Sequence, residues 1–165
     1  MKSLFIKILL PITILFTLNS CSKNEINDTL PEKQTVVVNY EYVTIETDLI
    51  NLINDYRVNK GLNILKLDNY ISKVSENHVY YMINKNAISH DLFDLRFKDI
   101  VDNRGGLKVS ENVAYNFNSA QSTLNAWLNS PEHKNNLEGD FTHCGISIKT
   151  NANGVRFYTN IFMKK

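Results

Sequence analysis

Residues 144–163 read CGISIKTNANGVRFYTNIFM, two apolar-rich runs on either side of Asn151-Ala152-Asn153-Gly154. The runs Cys144 to Lys149 and Val155 to Met163 read as antiparallel strands, with Asn153-Gly154 supplying the positive φ angles that a tight hairpin turn demands. Along the second run Val155, Phe157, Thr159 and Ile161 alternate with Arg156, Tyr158, Asn160 and Phe162. Both faces carry apolar groups, which suits a sheet covered by helices on both sides.

Upstream of the hairpin the apolar period changes from two to between three and four. Ile45, Leu49, Leu52, Ile53 and Tyr56 predict a helix from about Ile45 to Lys60, closed by Gly61. Asp68 is an N-cap for a second helix with Ile71, Val74, His78, Tyr81 and Met82 on one face, ending near residues 84–86. Phe93, Phe97, Ile100 and Val101 mark a third, stopped by Gly105-Gly106. Ala120, Leu124, Trp127 and Leu128 mark a fourth, capped by Ser119, with Pro131 beyond its end. Val36 to Val38 with Tyr40 read as a short strand or a lead-in to the first helix. Helices segregated from a hairpin give an α+β class, about four helices around a small, mainly antiparallel sheet.

The chain has 165 residues, of which 43% are hydrophobic, 21% charged and three proline, enough for one domain with a short appendage. Eighteen Lys and Arg face seventeen Asp and Glu. The basic residues form no stripe that could follow a phosphate backbone, so nucleic acid is excluded as a partner. Two cysteines are too few for a disulfide scaffold.

The appendage is amino-terminal. After Met1 and Lys2 an apolar run from Leu4 to Leu18 is interrupted only by Lys7, Pro11 and threonines, and no acid precedes residue 21. It is shorter than the ~20 residues of a spanning helix and has the form of a secretory signal over residues 1–20. Leu18-Asn19-Ser20-Cys21 resembles a bacterial lipobox, which implies acylated Cys21 as the first mature residue; the alternative is an ordinary signal peptide cut near Ser20. Removing residues 1–20 takes Lys2, Lys7 and no acid, leaving a formal charge of −1. Residues 21–41 then form the lipidated cysteine and a polar tether, and residues 42–165 the domain. With Cys21 acylated, Cys144 stands alone and reads as a small buried hydrophobe.

Four histidines are present, His78, His90, His133 and His143, with no HExxH spacing, GxSxG elbow, P-loop or dinucleotide fingerprint. What remains is a dispersed set: Ser89-His90, Ser110 to Ala114, and Ala126 to His133, each placing a polar group at an expected element end.

With Leu52 to Arg57, His78, Asn136-Leu137 and Phe141 to Gly145, these segments resemble the CAP superfamily in its compact bacterial form, the SCP-like domains, over residues 45–163. The resemblance implies an α-β-α sandwich with a cleft lined by two histidines and acidic residues. By position His90 and His133 would be the histidines and Glu111 the first acid, with Asn112 beside it. Ser130 stands where animal members carry the second acid, and Ser110 where a glycine is common. His90 and His133 are thereby candidate ligands of a divalent metal such as Zn²⁺, whose chemistry suits imidazole and carboxylate.

Bland readings stand beside these. His78 reads as a core histidine bonded to backbone, Asn54 and Arg57 as loop braces, Trp127 as core, and His143 as partly exposed. Arg96 reads as pairing with Asp94 or another carboxylate. His90, Glu111 and His133 read either as a ligand cleft or as a polar network holding loops. Two functions follow: a lipid-anchored, extracytoplasmic domain of a bacterial cell envelope binding a small ligand, metal or envelope component, or a metal-assisted hydrolase in the same cleft. Its membrane partner would be reached through Cys21, at the outer membrane or cell surface.

Overall fold

Asp68 caps a helix as its sequence position requires: its side chain accepts from the backbone N–H of Tyr70 and Ile71 and also meets the Arg104 guanidinium. This is seen in a computed structural model, which describes residues 37–165. The apolar segment 1–20, Cys21 and the tether as far as residue 36 lie outside the described residues.

The elements run α1 (Thr44–Asn59), β1 (Lys66–Leu67), α2 (Asn69–Lys85), α3 (Phe93–Arg104), β2 (Lys108–Tyr115), α4 (Ala120–Asn129), α5 (Pro131–Leu137), β3 (His143–Thr150) and β4 (Arg156–Lys164). Among the described residues five helices therefore replace the four expected, because Pro131 does not merely follow α4. It opens α5 at a first-turn position where its missing N–H costs nothing. The hairpin register pairs Cys144 with Phe162 and Ile148 with Tyr158. Its turn needs less left-handed backbone than expected: Gly154 alone has positive φ, at 79°, while Asn151 Oδ1 accepts from the N–H of Asn153 and Val155. No strand forms over residues 37–40.

The sheet order is β1-β3-β4-β2, with β1 parallel to β3 and the other pairs antiparallel. Alternation along the strands divides the core. Ala114, Ile146, Ile148, Tyr158 and Phe162 pack with Leu49 and Ile53 of α1, Leu124 and Trp127 of α4, and Leu137 of α5. Val109, Ile161 and Met163 pack with Ile71 and Val74 of α2 and Ile100 of α3. The result is the α-β-α sandwich, with α1, α4 and α5 on one face and α2 and α3 on the other. Gly145 sets the closest approach: a Cβ there would lie 2.2 Å from the Ser72 backbone nitrogen.

Tyr40 is already part of the packing, its hydroxyl meeting the buried Glu46 and Ser147. Glu46 also accepts from the N–H of Ile148 at 2.7 Å, which ties the start of α1 to β3. Arg57, fully buried, donates to the carbonyls of Asn63, Leu137 and Gly139, and Asn54 exchanges hydrogen bonds with the Leu65 backbone. Both are loop braces, as read from sequence.

Candidate functional site

β2 is an edge strand, so its backbone presents groups outward from the sheet. Two of them are covered: Trp127 Nε1 donates to the Val113 carbonyl at 3.0 Å, and Asn136 Nδ2 to that of Glu111 at 3.3 Å. Side chains from α4 and α5 thus seal this edge against another strand. They also fix the place where the two helical layers meet across it.

Glu111, in the middle of β2, points to the α2 and α3 face and is 5% exposed. Its carboxylate takes a forked pair from Arg96, Nε to Oε2 at 2.8 Å and Nη2 to Oε1 at 2.8 Å, and His90 Nδ1 reaches Oε1 at 2.8 Å. Burial alone would push this carboxyl up, but the hydrogen bonds of His90 and Arg96 and the nearby positive charges hold it below the ordinary carboxylate range. An ionised carboxylate only accepts, so His90 carries its proton on Nδ1 and turns Nε2 away from Glu111. The sequence placed Glu111 at an element end; it lies mid-strand because β2 itself escaped the reading. Arg96 pairs with a carboxylate as read from sequence, that of Glu111, fifteen residues on, in place of Asp94.

His78 lies beneath this cluster. Its Nε2 donates to the Ser89 carbonyl at 2.8 Å and sits 3.7 Å from Glu111 Oε1. It is the core histidine bonded to backbone that its helical face implied, and it holds the turn from which His90 projects. Burial lowers its pKa, with Glu111 opposing.

Asn112 points to the opposite face, fully buried, where its Nδ2 donates to the His133 carbonyl at 3.0 Å and its Oδ1 accepts from Asn136 at 2.9 Å. It lies under the cleft and fastens α5 to β2. The His133 ring has no hydrogen bond within the described residues, and burial first, then the charge of His90, lowers its pKa. His133 lies on α5, which Asn112 and Asn136 fasten to β2, while His90 meets Glu111 on the other face of that strand. Ser130 joins α4 to α5, where its N–H bonds to the Trp127 carbonyl and its carbonyl accepts from Lys134. His143, on β3 two strands across the sheet from β2, bonds Thr142 and takes no part.

A pocket of about 240 Å³ opens beside His90, lined also by Phe93, Val109, Ser110, Glu111 and Asn136. Ser110 Oγ is buried there without a hydrogen-bond partner. Sequence reasoning missed Arg96 and Asn136 as parts of this site. The one signal for Asn136 was its place among the segments that carry the family resemblance; for Arg96 it was the expectation of a carboxylate partner, with nothing to say which. No group of three or more His, Cys, Asp or Glu side chains converges as a cation cage among the described residues.

Comparison with known proteins gives the architecture its relatives. The sequence model of the cysteine-rich secretory protein family, CAP, matches residues 50–162. An uncharacterised membrane protein of Bacillus subtilis, YlbC, is 30% identical over 129 residues, which are 74% of this chain and 35% of that protein. The chain thus spans about a third of the length of this curated relative. An outer surface protein of Borrelia burgdorferi shares the fold with a TM-score of 0.66 at 24% identity, covering 72% of this chain and 91% of that one. An extracellular protein of Bacillus anthracis containing an SCP domain gives a TM-score of 0.64 at 27% identity, covering 73% of this chain and 40% of the other. With the family's pattern running through 50–162 and its fold formed by the same residues, the chain belongs to the cysteine-rich secretory protein, or CAP, family.

Proposed function

We propose that the chain is a lipid-anchored, exported CAP domain of a bacterial cell envelope, whose cleft beside β2 binds a small ligand or a loosely held divalent cation through His90 and His133. The carrying observation is the full engagement of Glu111. Its oxygens are taken by Arg96 and His90, so it orients an imidazole and is not free as a general base or an inner ligand. A histidine whose Nδ1–H is held by a carboxylate presents Nε2 to a ligand, the arrangement that outer carboxylates enforce around metal sites.

The donor set fits a weak site. His90 Nε2 and the His133 ring would supply two nitrogens, whereas catalytic zinc centres use three protein ligands and keep one open position. Ser130 supplies no carboxylate where one would complete the set. A bound cation would serve there as a Lewis acid toward a ligand's oxygen. Among the described residues no Ser, Thr or Cys is hydrogen-bonded to His90 or His133, and burial pushes the Cys144 thiol up to about 12. These features favour binding over hydrolysis.

Calorimetric titration of the full chain with Zn²⁺ tests the cleft. Weak binding that either His90→Ala or His133→Ala abolishes is the expected result. Tight stoichiometric binding, or binding indifferent to both changes, would overturn it, and the first would restore the hydrolase reading. The anchor rests on the order of basic start, short apolar run and Leu18-Asn19-Ser20-Cys21. It is tested by the mass of the mature amino terminus and by release of Cys21→Ser from membranes. Export is supported by the extracellular relative from Bacillus anthracis, and no helix among the described residues is long and apolar enough to cross a membrane.

A further inference from the structure

A second cavity, of about 430 Å³, lies at the other end of β2, between the C-terminus of α2 and the β3–β4 turn. Tyr115, on its wall, is four residues along the strand from Glu111, about 13 Å at ~3.3 Å per residue, so the cavity is separate from the histidine cleft. Its volume falls within the roughly 300–1,000 Å³ of small-molecule pockets.

The lining is unusual in its chemistry. Phe157 is buried at the floor, and the half-exposed Tyr115 ring stands 6.0 Å from it, centroid to centroid. Ile88, 42% exposed, adds an apolar wall. Around these stand three side-chain amides, Asn86, Asn151 and Asn153. Among the described residues no carboxylate, amine, guanidinium or imidazole lines the cavity.

The amides are held ready and left open. Asn86 closes α2 in the left-handed conformation, φ 52°, with its backbone N–H bonded to Ile83 and no partner for its side chain among the described residues. Asn151 Oδ1 accepts from two backbone N–H groups of the turn, which fixes the amide plane and leaves Nδ2 as a donor. Asn153, exposed at the turn, has its whole amide free among the described residues. Each free amide offers donors, and Asn86 and Asn153 also an acceptor.

This set discriminates by charge and by shape. A phosphate or carboxylate finds no cation here among the described residues. A wholly apolar ligand would strip water from three amides without replacing their hydrogen bonds. A neutral ring with one apolar C–H face and a rim of hydroxyl or acetamido groups satisfies both halves, the face on Tyr115 and the rim on the asparagines. We infer that this cavity between Tyr115 and the asparagine-bearing turn is a binding site for a neutral saccharide.

Calorimetric titration of the full chain with the N-acetylglucosamine trimer, and with cellotriose as its hydroxyl-only counterpart, tests the site. Saturable binding of at least one is expected. Tyr115→Ala and Asn153→Ala should each weaken it about tenfold or more, equivalent to about 1.4 kcal/mol. Tyr115→Phe should retain binding, and so should His90→Ala, since the site does not depend on the histidine cleft. Asn153 is an exposed turn residue, so its variant keeps the test valid should Tyr115→Ala fold poorly. Failure of both sugars to bind, binding unchanged by Tyr115→Ala and Asn153→Ala, or loss of binding through His90→Ala would each overturn the inference.

Discussion

Arg96 controls the electrostatics of the cleft. It is the forked partner of a carboxylate that is 1% exposed at its side chain, and its own side chain is only 11% exposed. Removing one member of such a pair leaves a buried charge without compensation, which costs about 3–5 kcal/mol. Arg96→Ala should therefore lower urea-denaturation stability by that order, and Arg96→Lys should rescue little, because an ammonium cannot make the fork. The sequence points to a carboxylate for Arg96 but not to Glu111: the partners are fifteen positions apart, on a helix and on a strand that was not recognised. His78, by contrast, was legible, since its place on the apolar face of α2 already implied a buried neutral ring.

His78 also fixes a pH dependence. Burial holds its pKa below the ordinary value, and His133 shifts the same way for the same first cause. A histidine with a depressed folded pKa binds fewer protons folded than unfolded, so stability is full above the unfolded value and declines as pH falls toward the folded one. Glu111 has the same sign in the carboxylate range, since its folded pKa is also lowered. Stability should thus begin to fall below about pH 6.5 and fall further below about pH 4.3. His78→Gln should flatten the first part of that decline in denaturation curves taken between about pH 7 and 5. An unchanged slope would mean that His78 titrates alike in both states.

At the scale of elements, α2 is held to the sheet by a contact that only glycine permits. A Cβ on Gly145 would lie 2.2 Å from Ser72 N and 2.3 Å from Ile71 C, both backbone atoms of α2 that cannot move without the helix. Gly145→Ala should lower the melting midpoint by at least the amount expected for an overpacking cost of about 1–3 kcal/mol. Asp68→Ala should cost about 1–2 kcal/mol as a lost N-cap, with Arg104 left unpaired in addition. The caps were readable because Asp68, Ser119 and Gly105 sit where local chemistry decides the boundary.

The elements that escaped are those without a period. β2 buries Glu111 and Asn112 together with Val113 and Ala114, since helices cover both its faces, so polar and apolar residues do not alternate. α5 has seven residues and buries only Leu137, too little for a helical stripe. β1 is two exposed residues placed by the parallel ladder with β3 alone. The family resemblance named His90 and Glu111, which meet by a hydrogen bond, where pattern could not, while the orientation of Asn112 came only from the strand register.

At the scale of the whole molecule, the described residues are held by their core without covalent ties. Cys144 is fully buried among Leu49, Leu137 and Phe162, and it is the one cysteine among the described residues. Its thiol, raised to about 12, is a packing group with almost no thiolate at neutral pH. Melting temperatures with and without reductant should agree, and the folded protein should resist alkylation at Cys144. A shift of several degrees on reduction would require a disulfide for which the domain has no partner.

We propose that α5 and the turn before α3 bring His133 and His90 to one cleft across the β2 edge. Histidine-resolved NMR during a Zn²⁺ titration of the full chain tests this most directly. The rings of His90 and His133 should shift together with one midpoint while His78, whose Nε2–H is held by Ser89, and His143, two strands across on β3, stay in place. Separate midpoints for His90 and His133, or a response led by His78 or His143, would contradict the shared cleft.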